Sequence, residues 1–173
     1  MIFKLFRKSA PDDAVYSIYT SIVAQSRQLR FYADWGVPDT VTGRFDMISL
    51  HVVLMLRRLR TDSAQRDVGQ ALVDFFFRDM DRSLRELGAG DLSIPKKVRN
   101  MSKLFYGLAT ALEPGLTAGD ADAIAMVLRK NLYAGTDAPG TMELAGYLVA
   151  TAEDYEAKPL AALIPTATAG AVA

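Results

Sequence analysis

Acid–base or ligand chemistry in this chain has one histidine to work with, His51. It lies in the stretch from Phe45 to Arg60, FDMISLHVVLMLRRLR, where eight of the ten residues from Met47 to Leu56 are apolar. A histidine at the centre of such a run reads as a hydrogen-bonded core residue before it reads as a catalyst. One histidine also excludes a multi-histidine metal site within one chain. The absence of cysteine excludes disulfides, thiolate metal sites and cysteine nucleophiles. His51 and Met55 are four residues apart, so a helix puts both on one side. That spacing suits a haem- or small-molecule-binding face but cannot supply the two opposite axial ligands of one haem.

The carboxylates do not converge either. Asp79 and Asp81 are two residues apart and diverge on a helix. Asp74, Asp81 and Glu86 read as surface charges, and a di-metal carboxylate bundle needs Glu-x-x-His twice. No G-x-S-x-G elbow and no Walker loop is present, and GAGDLSI after Leu87 lacks the dinucleotide-binding spacing. The chain reads as a non-enzyme with no cofactor. Its formal net charge is zero, so no overall field draws it to nucleic acid or anionic lipid. Local patches remain. Lys96, Lys97, Arg99 and Lys103 open a predicted helix, where the helix dipole favours anions, not cations. They fit contact with lipid head groups or RNA, as do Arg57, Arg58 and Arg60; the alternative is a solvated face.

The elements that position these groups are helical. Residues 43–60 form a central helix, apolar on most of its circumference and therefore buried against several neighbours. Its apolar core is too short to span a bilayer, which takes about 20 residues. Val15, Ile18, Tyr19, Ile22 and Val23 predict a first helix over 10–27. A short helical turn is expected near 28–33, and Thr40 or Thr42 caps the central helix. Asp62 and Gln65 form a capping box for a helix over 63–87, with Val68, Leu72, Phe76, Met80, Leu84 and Leu87 as its apolar stripe. Pro95 opens a helix to 113, closed by the turn Glu113-Pro114-Gly115. Thr117 and Asp120 begin another over 118–133, and the last runs over 141–157. At 173 residues, 50% of them hydrophobic, this makes a single all-α bundle of about six helices around the central one. Residues 1–9 form a basic, amphipathic N-terminal segment with Lys4, Arg7 and Lys8, suited to membrane or RNA contact or to packing on the domain. Residues 10–163 form the helical domain and 164–173 a flexible tail.

Four aromatic residues lie off the main stripes: Phe31, Tyr32, Trp35 and Phe77. They are candidates for an exposed partner-binding patch, together with Asp79 and Asp81; the alternative for the aromatics is packing into the core.

Two segments, FYADWGVPDTVTGRFDMISLHVVLMLRRL and FFFRDMDRSLRELGAGDLSIPKKVRNMSKLFYGL, resemble the ubiquinol–cytochrome c chaperone family. Tyr32, the Gly36-x-Pro38-Asp39-Thr40 turn and Leu50-His51-Val52 carry the likeness. So do Asp79-Met80-Asp81 before Leu87-Gly88 and the Lys97–Tyr106 helix. Together they extend over most of residues 15–135. No mitochondrial presequence is seen, so the chain is similar to a bacterial relative of the mitochondrial cytochrome b assembly factors. The resemblance implies a non-enzymatic assembly chaperone with newly made cytochrome b as client. It implies a cytoplasmic location at the inner membrane surface, near the ribosome. A small helical partner protein is possible by the same likeness. A generic interaction module with a basic face for RNA or lipid is the reading that needs no family.

Overall fold

The computed structural model describes residues 10–163, apart from residue 137. The segment 1–9 with Lys4, Arg7 and Lys8, and the tail 164–173, lie outside the described residues. Six long helices and two short ones follow in order: α1 (Ala10–Ser26), α2 (Leu29–Ala33), α3 (Val41–Arg60), α4 (Arg66–Glu86), α5 (Ile94–Ala118), α6 (Ala121–Asn131), α7 (Thr141–Ala157) and α8 (Leu160–Leu163). No strand occurs among the described residues. The all-α bundle expected from periodicity is the fold observed.

Helix α3 is the axis. It packs against α1, α4, α5 and α7, while α1 also lies on α4 and α6 fills the space between α5 and α7. Twelve of its twenty residues are buried, among them Phe45, Met47, Leu50, Val52, Leu54, Met55 and Leu59. Each such side chain contributes about 1.5–3 kcal/mol when fully removed from water. Thr40 starts the helix: its Oγ1 accepts the Gly43 N–H at 3.1 Å. Around α3, Ile18 and Ile22 of α1, Leu72 and Phe76 of α4, Phe105 and Leu112 of α5, and Leu144 and Leu148 of α7 close the core. Phe45 stacks on Phe76 with ring planes 10° apart, and Phe76 also meets Phe105 at 5.5 Å.

Three boundaries differ from expectation. Helix α5 runs through Glu113-Pro114-Gly115 to Ala118. Proline costs one helical N–H, but Gly115 and Leu116 just beyond it are buried, and that packing holds the extra turn. The true stop is Gly119, at φ 64°, a left-handed position that glycine takes without strain. Asp120 rather than Thr117 then caps α6, its Oδ1 accepting the Ala123 N–H at 3.0 Å. Helix α4 is entered through a 3-10 turn, Ser63–Gln65, and its N-cap Gln65 makes no side-chain cap bond. Leu87 is not on the buried stripe of α4; it follows the last turn and is 63% exposed.

Among the described buried side-chain polar atoms, the Ser49 hydroxyl alone has no hydrogen-bond partner. Replacing Ser49 with alanine removes a desolvated group that gains nothing in return. Ser49→Ala should therefore keep or raise stability, by up to about 1 kcal/mol. Chemical denaturation checks this, and a loss above that figure would show a bonded hydroxyl.

Candidate functional site

The C-terminal half of α3 and the facing side of α5 build an open groove. Leu56 is half-buried at the edge of the core, and its neighbours on α5 are Phe105 and Tyr106. Adjacent residues on a helix point about 100° apart. So Phe105 enters the core at 1% exposure while Tyr106, beside it, stays 52% exposed. Between them α3 and α5 enclose a groove of about 720 Å³. Val53, Leu56, Phe105, Tyr106, Ala109 and Pro114 form its apolar wall, and Arg57, Arg60, Glu113 and Thr117 its polar end. A second depression of about 480 Å³ lies across Leu56, against α4, with Leu59, Gly69 and Val73. Leu56, Arg60 and Tyr106 line both, so the two join into one surface.

The arginine cluster at the end of α3 is a set of clasps. Arg57, largely buried, donates to Glu113 of α5 at 2.6 Å and to Glu156 of α7 at 3.0 Å. Arg60 donates to the same Glu113 at 2.9 Å. Arg58 binds the carbonyl oxygens of Tyr155 and Lys158 at 2.8 and 3.1 Å. These three cations tie α3 to α5 and α7, and Arg57 is largely taken up inside the fold while Arg60 stays on the surface. Lys96, Lys97, Arg99 and Lys103 are exposed and make no ion pair among the described residues.

The aromatic candidates scatter. Phe31 is fully buried, which corrects its reading as a surface residue. Tyr32 is half-buried, and its hydroxyl donates to the Ser26 carbonyl at 2.8 Å. Trp35 is wedged between Phe31 at 5.3 Å and Tyr147 at 5.9 Å. Its backbone also lies where a Cβ on Gly140 would fall, 2.1 Å from the Trp35 Cα. The Arg30 guanidinium covers this cluster, about 5 Å from the rings of Phe31, Trp35 and Tyr147. Asp79 accepts the Tyr19 hydroxyl at 2.8 Å and pairs with Arg82, fastening α1 to α4. Burial and that bond push the Tyr19 hydroxyl's pKa well above its ordinary value. Phe77 is half-buried against Phe76 and Phe105. With Asp81, which pairs with Arg85 at 2.7 Å, it lines a shallow open depression between α4 and Val98. Of the partner-binding candidates, Phe77 and Asp81 line one accessible depression together.

His51 is sealed. Its Nδ1 lies 2.8 Å from the Met47 carbonyl, which can only accept, so Nδ1 carries the proton. Nε2 then accepts the Tyr147 hydroxyl at 2.8 Å. Neither nitrogen is free for a haem or a metal. Burial is the main reason its pKa falls to about 4. Among the described residues no group of three or more His, Asp or Glu could hold a metal ion.

Residues 33–169 match the family model described as ubiquinol-cytochrome C chaperone. The chain belongs to the ubiquinol-cytochrome C chaperone family. It is similar to ubiquinol-cytochrome-c reductase complex assembly factor 1 of Xenopus laevis, at 24% identity over 132 residues, 76% of this chain and 66% of that protein. The Homo sapiens protein of that name is 24% identical over the same length, 44% of its own chain. The chain thus spans about two thirds of the frog relative and less than half of the human one. The crystal structure of the Cbp3 homolog from Brucella abortus matches at a TM-score of 0.81 and 38% identity, covering 95% of this chain and 93% of that one. The Brucella abortus protein shares the helical body described above.

Two outcomes follow for the His51 cluster. As the sole imidazole, His51 should give one NMR signal that stays neutral and Nδ1-protonated down to about pH 5. Its low folded pKa means that the unfolded chain binds the extra proton between about pH 6.5 and 4. That group's contribution to stability is full above pH 6.5 and is lost as pH falls through this window, by about 1.4 kcal/mol per unit. Asp46, whose carboxyl burial raises to about 7, acts with the opposite sign: it favours the folded state at low pH and is lost as pH rises toward 7. The His51 effect is therefore read as the difference between the chain and His51→Phe across pH 4–7; parallel stability curves would refute it. Gly140→Ala should drive Trp35 from its seat and lower stability by about 1–3 kcal/mol or more, seen in a thermal melt with tryptophan fluorescence.

Proposed function

We propose that this chain is an assembly chaperone for ubiquinol–cytochrome c reductase that holds newly made cytochrome b, and that it is not an enzyme. The observation that carries the client-binding mode is the apolar groove between α3 and α5, continuous past Leu56 to α4. A membrane protein caught before insertion presents apolar helical segments, and a helix lays such a face into an apolar groove of this kind. Leu56 and Tyr106 stand on either side of its mouth. Arg60 and Glu113 at its polar end offer paired charges to a segment's polar flank. Phe77 and Asp81 supply a second contact on the same side of α4. No helix among the described residues is long and apolar enough to cross a membrane. Within this reading the protein works peripherally, at the inner membrane surface and near the ribosome, and a small helical partner protein remains an open place in the assembly.

Site-specific photo-crosslinking tests it, with the crosslinker at position 56 or 106 in cells translating cytochrome b. Adducts with cytochrome b are expected from both positions and not from position 130 on α6. Tyr106→Glu should cut recovered cytochrome b at least tenfold and lower the reductase complex while the fold stays intact by circular dichroism. A normal level of assembled complex without the chaperone would end the proposal.

A further inference from the structure

Helix α5 carries a feature that client binding does not use. From Lys96 to Leu112 it holds four cations, and no Asp or Glu occurs between Asp91 and Glu113, in a chain whose formal net charge is zero. Lys96, Lys97, Arg99 and Lys103 are all exposed, and none is paired with a carboxylate among the described residues. Elsewhere in this fold Arg57, Arg60, Arg82, Arg85 and Lys158 each meet a carboxylate. Lys96 and Lys97 sit in the first turn of α5, where the helix dipole opposes cations. Beside them Leu92 is fully exposed at 101%, and Leu104 is 60% exposed.

The helical repeat joins this patch to the groove. Lys96, Lys103 and Thr110 recur every seven residues, as do Arg99, Tyr106 and Glu113, so each trio forms one stripe on α5. Tyr106, Thr110 and Glu113 line the groove. Arg99 and Lys103 therefore continue the groove's own wall toward the start of α5.

We propose that the start of α5, with Lys96, Arg99 and Lys103 flanked by Leu92 and Leu104, docks on an anionic phospholipid surface and so sets the groove beside the bilayer. Unpaired cations complement lipid phosphates, and two exposed leucines beside them gain by entering the head-group boundary. RNA-binding faces rely on exposed aromatic rings for base stacking; the one exposed ring near these cations, Tyr106, lines the groove, and the exposed apolar groups at the start of α5 itself are leucines. The docking itself is independent of what fills the groove; only its use in setting the groove rests on the client reading above.

Flotation of the purified chain with vesicles tests the docking without any client. Vesicles of phosphatidylcholine with phosphatidylglycerol should bind it, and vesicles of phosphatidylcholine alone should not. Triple reversal K96E/R99E/K103E should weaken binding by about a hundredfold or more, at about fivefold per cation removed. L92S/L104S should weaken it severalfold and leave the residual binding more salt-sensitive. Lys130→Glu on α6 should change nothing. Equal binding to neutral vesicles, or binding indifferent to the triple reversal in a variant that melts like the parent, would overturn the docking. So would tighter, charge-dependent binding to an RNA oligonucleotide that competes the vesicles away. Loss of the crosslinks from positions 56 and 106 would sink the client reading and leave the vesicle result standing.

Discussion

Helix α3 has to be buried on nearly every side, and a helix buried that way must dispose of each polar group it carries. His51 is the hardest case. It is fully enclosed, and an imidazole with an unmet nitrogen there would cost about 1–3 kcal/mol. Its two bonds solve this in different ways. Met47 satisfies Nδ1 within the same helix, and Tyr147 satisfies Nε2 from α7. The second bond fixes how α7 lies against α3. The Tyr147 ring in turn shares the Arg30 guanidinium with Phe31 and Trp35, so the α2 segment is held by the same cluster. One buried histidine thus sets the placement of two neighbouring elements.

At its C-terminal end α3 meets the opposite problem. Arg57, Arg58 and Arg60 crowd one turn, and three cations repel. The fold answers with Glu113 from α5, Glu156 from α7 and carbonyl oxygens near the end of α7. The four cations on α5 receive no such partners among the described residues. In sequence the two clusters are alike: short basic runs on helices. What separates them is distance along the chain, since Arg57 reaches carboxylates 56 and 99 residues away. Pairings of that span are invisible to local pattern.

Much of the architecture was readable from spacing, because periodicity reports a helix and its buried face. The central helix, its threonine cap and the core stripes of α1, α4 and α5 all follow from it. What periodicity does not report is whether a competing tertiary contact overrides a local stop. Pro114 is such a case: packing of Gly115 and Leu116 carries α5 through a residue that ordinarily ends a helix. Phe31 and Trp35 pack inward for a related reason. Phe31 and Trp35 lie in and beside a short helix whose orientation is set by α3 and α7, so their fate depended on elements far along the chain. Tyr106 was findable, since next to a core Phe105 it had to face elsewhere.

The groove inherits an asymmetry from these two ends of α3. Its floor, Val53 with Phe105 behind it, belongs to the close-packed core, where displacement costs contacts on every side. Its rim is set by Glu113, 38% exposed in its side chain, and Arg60, 65% exposed. Pairs that open to solvent contribute about 0–1 kcal/mol. The floor is therefore fixed and the rim is held weakly. A client segment entering between Tyr106 and Leu56 would displace little at the rim while leaving the α3 core, and with it the His51–Tyr147 bond, undisturbed. That separation lets one helix serve as both the anchor of the fold and one wall of an open groove.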